Sequence, residues 1–185
     1  MPFTGIDHLD HSIDTSNRWL DDLAQEMGVT ERREAYRALR GWLHTLRDRL
    51  TVQSGAHFAA QLPEIFRGVY YDGWSPSGVP VKYDRDQFLE AFCDSSAIRG
   101  QAAEPALTAV TRCLRRHMGR GAIDHAFEQL PKEVRSLIDS GTTPTETRAK
   151  TGAKTGGKTS TRSGGKAQDT PGSTPIGPDA ENTAW

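Results

Sequence analysis

The chain has 185 residues, 23 basic against 24 acidic side chains and a net charge of -1. Those averages conceal a division near Ser140: residues 1–140 hold 58 members of the AVILMFWYC class, whereas residues 141–185 hold 7, and 26 of those last 45 are Gly, Pro, Ser or Thr. The first part can bury a core and the second cannot offset its ordering entropy, so about 140 folded residues and a disordered tail are expected, which excludes a large multidomain enzyme.

Charge divides at the same place. The body carries 17 basic and 20 acidic residues, net -3, and the tail 6 and 4, net +2. A body with that balance offers no general electrostatic reason to bind nucleic acid. The opening MPFTGIDHLDH lacks a basic segment followed by an apolar run, and no window approaches 18 uninterrupted apolar residues. Neither a secretory signal nor a membrane span is expected. Cys93 and Cys113 stand alone among hydrophobic residues. They read as reduced, buried thiols of a cytoplasmic protein.

Helical periodicity then runs through the body in chain order. Leu9, Ile13, Leu20, Leu23 and Met27 recur at three- and four-residue steps, and Gly28 supplies a stop. Thr30 resembles an N-cap for a second helix carrying Ala35, Leu39, Trp42, Leu43, Leu46 and Leu50. Glu31 and Glu34 early in that helix, with Arg47 and Arg49 late, suit its dipole. A short segment from Ser54 presents Phe58, Ala59 and Leu62, and Pro63 restarts the helix through Ile65, Phe66, Val69 and Tyr70. Gly73, Pro76, Gly78 and Pro80 end helicity, and the alternation of Val79, Val81 and Tyr83 is too short to support a sheet. A structured loop is expected there. Asp84 or Asp86 caps a helix holding Phe88, Leu89 and Phe92. Ala103, Leu107, Val110, Leu114 and Met118 form the next long helix, with Pro105 in its first turn. Short helices over 123–130 and 131–138 complete the body.

The chain also repeats itself. When 35–67 is aligned with 103–135, ten of those 33 positions are identical. They include His57/His125, Arg67/Arg135 and the contiguous Gln61-Leu62-Pro63 against Gln129-Leu130-Pro131. A shared break after an equally long helix is harder to obtain by chance than shared periodicity. The expected architecture is therefore all-α, a helical bundle of two related halves. The domain is 1–140, its repeat units are approximately 30–73 and 98–139, and neither half has enough apolar surface to stand alone comfortably.

The stretch TSNRWLDDLAQEMG at 15–28, the helix AYRALRGWLHTLRDRL, the segment AAQLPEIFRGVYYDGW and the VPVKY turn together resemble the bacterial DUF2267 family. The resemblance covers about residues 6–138 and leaves the tail outside it. It implies an all-helical fold of two related halves and no established catalytic or binding residue.

Candidate chemistry is sparse. Asp7, His8, Asp10, His11 and Asp14 cluster where the first helix begins. His8, His11, Asp7 and Asp14 could hold a divalent metal if they converged, although the HExxH spacing is lacking and early aspartates have a plain electrostatic role at a helix N-terminus. No other cofactor is expected. His57 and His125 are equivalent in the repeat and either share a groove across a pseudo-twofold axis or are incidental to the duplication. Tyr70, Tyr71, Asp72, Trp74, Lys82 and Tyr83, on a Gly/Pro-organised segment, are the candidate recognition surface for a protein or small-molecule partner, with packing at the end of the core as the alternative. GAKTGGKTS lacks the spacing and the preceding strand of a phosphate-binding loop. Arg148, Lys150, Lys154, Lys158, Arg162 and Lys166 would permit weak, salt-sensitive nucleic-acid association through the tail. A helical interaction or ligand-binding module is the favoured reading. An enzyme, metal-dependent or not, and a nucleic-acid-associated protein are the alternatives.

Overall fold

The structure is a computed structural model that describes residues 4–119 and 121–139. The expected tail at 141–185, with its six basic residues, lies outside the described residues. The described chain forms eight α-helices: α1 (Asp7–Met27), α2 (Arg32–Arg49), α3 (Val52–Ala59), α4 (Glu64–Tyr71), α5 (Arg85–Ser96), α6 (Ala103–His117), α7 (Ala122–Glu128) and α8 (Lys132–Asp139). Single 3-10 turns occupy Pro76–Gly78 and Gly100–Ala102, and no strand occurs among the described residues. The fold class is all-α.

Local signals set most of the boundaries. Gly28 takes the left-handed conformation at φ 67° after α1. Its N–H reaches the Gln25 carbonyl, and the Val29 N–H reaches that of Ala24, the paired bonds of a Schellman stop. Asp84 opens α5 with a complete capping box: its carboxylate accepts the Gln87 N–H at 2.9 Å while the Gln87 amide oxygen accepts the Asp84 N–H at 3.1 Å. Pro63 stands at the N-cap of α4, and its carbonyl accepts the Arg67 N–H at 2.8 Å. Thr51 caps α3 by accepting the Ser54 N–H.

One expected cap differs. The residue before α2 is Glu31, not Thr30, and no side chain caps that end. Arg32, first in the helix, instead forks onto the Asp21 carboxylate of α1. An ion pair across the turn stands where a local hydroxyl contact was expected.

The second helix is the axis of the core. Every residue from 41 to 47 in α2 is buried, although the run includes His44, Thr45 and Arg47. Such a helix is tolerated only if its polar groups are satisfied. The Thr45 hydroxyl donates to the Gly41 carbonyl at 2.9 Å, the His44 Nε2 lies 2.7 Å from the Val69 carbonyl, and one Arg47 nitrogen donates to the carbonyls of Tyr70 and Asp72 at 2.8 and 2.9 Å. Arg47 thereby fastens the C-terminal end of α4 to α2. Trp42 donates its indole N–H to the Thr111 hydroxyl of α6 at 3.0 Å, and that hydroxyl donates to the Leu107 carbonyl.

Around α2 pack α1, α4, α5 and α6. The approach of α5 is close because residue 41 is glycine: a Cβ there would lie 2.6 Å from the Ser96 Cβ and 2.9 Å from its backbone nitrogen. On the other side α1 crosses α6, where the buried Cys113 thiol points to the Trp19 carbonyl at 3.6 Å. Burial pushes that thiol's pKa up to about 11. Beside it the Glu26 carboxylate is held between Arg112 and Arg116, whose hydrogen bonds lower its pKa.

Candidate functional site

The break that ends α3 occurs again where α7 ends, at the aligned positions of the sequence. In each case a Gln-Leu-Pro leads into a helix of eight residues, Glu64–Tyr71 and Lys132–Asp139. The arginine one turn into each helix reaches back over the break. Arg67 donates to the carbonyls of Ala59, Ala60 and Leu62, and Arg135 to those of Glu128 and Leu130. These carbonyls lie at the ends of α3 and α7 or in the breaks that follow, where regular helical donors run out, and the arginines add donors there.

Held this way, α3 and α7 pack against each other. Between them lies a cleft of about 330 Å³ lined by Ser54, His57, Phe58, Gln61, Gly119, Ala122, His125 and Ala126. Phe58 and Ala126 are buried and make an apolar floor, while His57, His125 and Gln61 are exposed at the rim. The His125 Nδ1 is 3.7 Å from a Glu128 oxygen one turn on. His57 and the Gln61 side chain make no hydrogen bond among the described residues. The Ser54 hydroxyl oxygen accepts from the Gln129 amide at 2.6 Å and from the Thr51 hydroxyl at 3.0 Å. Both lone pairs are then engaged, and the hydroxyl proton remains as a donor.

Among the larger clefts elsewhere on the body, two lie at corresponding places. One, of about 500 Å³, includes His8, His11, Ser12, Thr15, Trp19, Pro63 and Gln61. The other, of about 680 Å³, includes Arg49, Pro80, Lys82, Tyr83, Gln87 and Pro131. Four positions of the first, Ser12, Thr15, Trp19 and Pro63, correspond under the same repeat offset to Pro80, Tyr83, Gln87 and Pro131 of the second. Their chemistry differs. The first is walled by Trp19, which stacks on His117 with ring centres 4.9 Å apart. The second is charged, with Arg85 tied to Asp86 and Glu104.

The remaining sequence candidates are dispersed. His8 meets Glu64 of α4 at 3.1 Å, and Asp7, His11 and Asp14 are exposed along α1. Asp10 instead accepts the backbone N–H and hydroxyl of Thr4. Among the described residues no group of three or more His, Cys, Asp or Glu side chains is placed to hold a metal ion.

The aromatic segment does not form one surface. Tyr70 is fully buried and cannot belong to a recognition surface: Arg47 draws the end of α4 onto α2 and carries the ring inward, where it lies 5.9 Å from Phe58. Burial raises its phenol pKa, and its hydroxyl has no hydrogen-bond partner among the described residues. Tyr71 meets Tyr70 edge-on and Trp74 leans on Tyr71, both partly buried. Asp72 is exposed and pairs with Arg40 at 3.2 Å. Lys82 and Tyr83 sit apart from these, in the charged cleft.

Sequence reasoning singled out His57 and His125 but missed Ser54 and Ala122, which face each other in the alignment of the two repeats and differ. The signal was a departure from the repeat, whereas attention went to its identities.

No helix of the described residues is long and apolar enough to cross a membrane. A comparison with curated proteins finds no match. The profile of one family, described as "Uncharacterized conserved protein (DUF2267)", matches residues 16–137, from the middle of α1 to within two residues of the end of α8. That span takes in the core, both Gln-Leu-Pro breaks and the cleft between α3 and α7, and the chain belongs to the DUF2267 family.

Proposed function

We propose that the protein is a ligand-binding helical module whose site is the cleft between α3 and α7. The observation that carries this reading is that His57 and His125, equivalent in the repeat and distant in the chain, line one cleft. Its volume falls at the small end of the roughly 300–1,000 Å³ typical of ligand pockets. An apolar floor with a few convergent polar groups is the ordinary make-up of such sites. Binding is favoured over catalysis because Ser54, the hydroxyl in the cleft, is engaged by Gln129 and Thr51, and no imidazole takes its proton among the described residues.

The same reading includes an internal duplication, with the cleft on the approximate twofold axis between the halves. The matched bounds of α4 and α8, the matched carbonyls under Arg67 and Arg135, and the two corresponding outer clefts support it. It also includes a cytoplasmic setting, supported by the two free thiols Cys93 and Cys113.

The test is a fragment screen on the full chain with ring-labelled histidine, followed by NMR. Fragments that bind the site shift the His57 and His125 signals together and leave His44, buried on α2, unmoved. A mixed library of charged and neutral fragments that moves neither cleft histidine would overturn the reading.

A further inference from the structure

The two halves of the cleft are not chemically equal, and the inequality bears on what it binds. Resting on the ligand-binding reading above, we propose that the cleft takes a small carboxylate with an apolar body, the carboxylate on the Gln61 amide and the body on Phe58 and Ala126.

In one half the Gln129 amide donates to the Ser54 hydroxyl at 2.6 Å, closing that side of the interface. The residue aligned with Ser54 is Ala122, so the aligned glutamine, Gln61, has no hydroxyl to bond. Gln61 is exposed, lines the cleft and makes no side-chain hydrogen bond among the described residues. An identical pair would have left both amides engaged. The serine-to-alanine difference leaves one amide free.

Donor hydrogens outnumber acceptor atoms among the groups left over. The Gln61 amide offers two N–H groups against one carbonyl oxygen, the Ser54 hydroxyl has both lone pairs filled and keeps its proton, and each imidazole offers at least one N–H and at most one acceptor nitrogen. Glu128, with an oxygen 3.7 Å from the His125 Nδ1, is not among the residues that line the cleft. A set weighted toward donors selects an acceptor-only group, and a carboxylate is the compact one, with two oxygens that take charge-assisted bonds. The floor of Phe58 and Ala126 has nothing to offer a polar body and favours a hydrocarbon one.

The probe is benzoate, with benzamide as the neutral control of the same shape, titrated into the full chain while the His57 and His125 ring signals are followed. Benzoate should bind at least tenfold more tightly than benzamide. Ala122→Ser offers Gln61 the partner that Gln129 already has and should weaken benzoate about tenfold, which is about 1.4 kcal/mol. Ala122 is half-buried at the cleft, so a single added hydroxyl is compatible with folding, and thermal unfolding of the variant checks this.

Equal affinity for benzoate and benzamide overturns the carboxylate assignment and leaves the cleft as a binding site. Benzoate that shifts neither histidine, or binds Ala122→Ser as well as the natural protein, overturns the assignment too. Failure of the whole fragment library would instead remove the reading on which the proposal rests.

Discussion

Without Arg47 the carbonyls of Tyr70 and Asp72 would face the interior with no donor, and Asp48 would lose its nearest cation. Each buried acceptor left unsatisfied costs about 1–3 kcal/mol, so Arg47→Leu should destabilise the protein by about 2–5 kcal/mol. Arg115, the aligned residue, is more exposed and pairs with Asp124 and Asp139 at the edge of the body. Its replacement by leucine should cost about 1 kcal/mol or less. Urea denaturation of the two variants measures the contrast, and equal losses would contradict it. His44, three residues before Arg47, gives a pH dependence. Its Nε2 meets a carbonyl and must carry the hydrogen, and burial, the largest cause, holds its pKa below the usual value of about 6.5. The unfolded chain therefore takes up a proton before the folded one does. This contribution to stability is complete above about pH 6.5 and is lost as pH falls from there through the lower folded pKa. Denaturation midpoints between pH 8 and 5 should fall for the natural protein and fall less for His44→Gln.

Among the elements, the contact of α2 with α5 is the one a single atom can break. Gly41→Ala would bring a methyl within 2.6 Å of the Ser96 Cβ and 2.9 Å of backbone, so the helices must separate. Overpacking of this kind costs about 1–3 kcal/mol. A lowered midpoint of thermal unfolding checks it, and an unchanged or raised one would show that α5 yields freely. The same elements indicate what the sequence could disclose. The bounds of α4 and α8 were legible because Pro63 and Pro131 fix where each helix begins, a local constraint. The stop at Gly28 was legible for the same reason, and so was a cap at Asp84 or Asp86, of which the helix takes Asp84. The entry to α2 was not, because Arg32 finds Asp21 only once α1 has folded back. Tyr70 was legible as an apolar position of α4 but not as apart from the surface candidates that follow it, because Arg47 of another helix draws that end of α4 inward. The histidine pair was visible in the repeat, but the cleft between them depends on how α3 meets α7, which no local pattern encodes.

At the scale of the molecule, one core joins the two aligned segments: residues from Trp19 to Ile138 form a single cluster, and the Trp42–Thr111 bond crosses it. No element of that cluster, α1 included, should come away at no cost to the rest. Cys113 makes this measurable, because its thiol lies under α1 against the Trp19 carbonyl and burial keeps it protonated at neutral pH. Cys93 is only partly buried. A thiol reagent should modify Cys93 in the folded protein at a rate proportional to its concentration. Modification of Cys113 should lag far behind and, at high reagent, reach a ceiling set by how often α1 lifts from α6. The two cysteines thus form a built-in clock and its control, one read at the surface and the other only when the first helix undocks. Weakening the Glu26 clamp by Glu26→Gln should quicken the slow reaction and leave the fast one alone. Equal acceleration of both would mean that the reagent reports a general loosening rather than the opening of one helix.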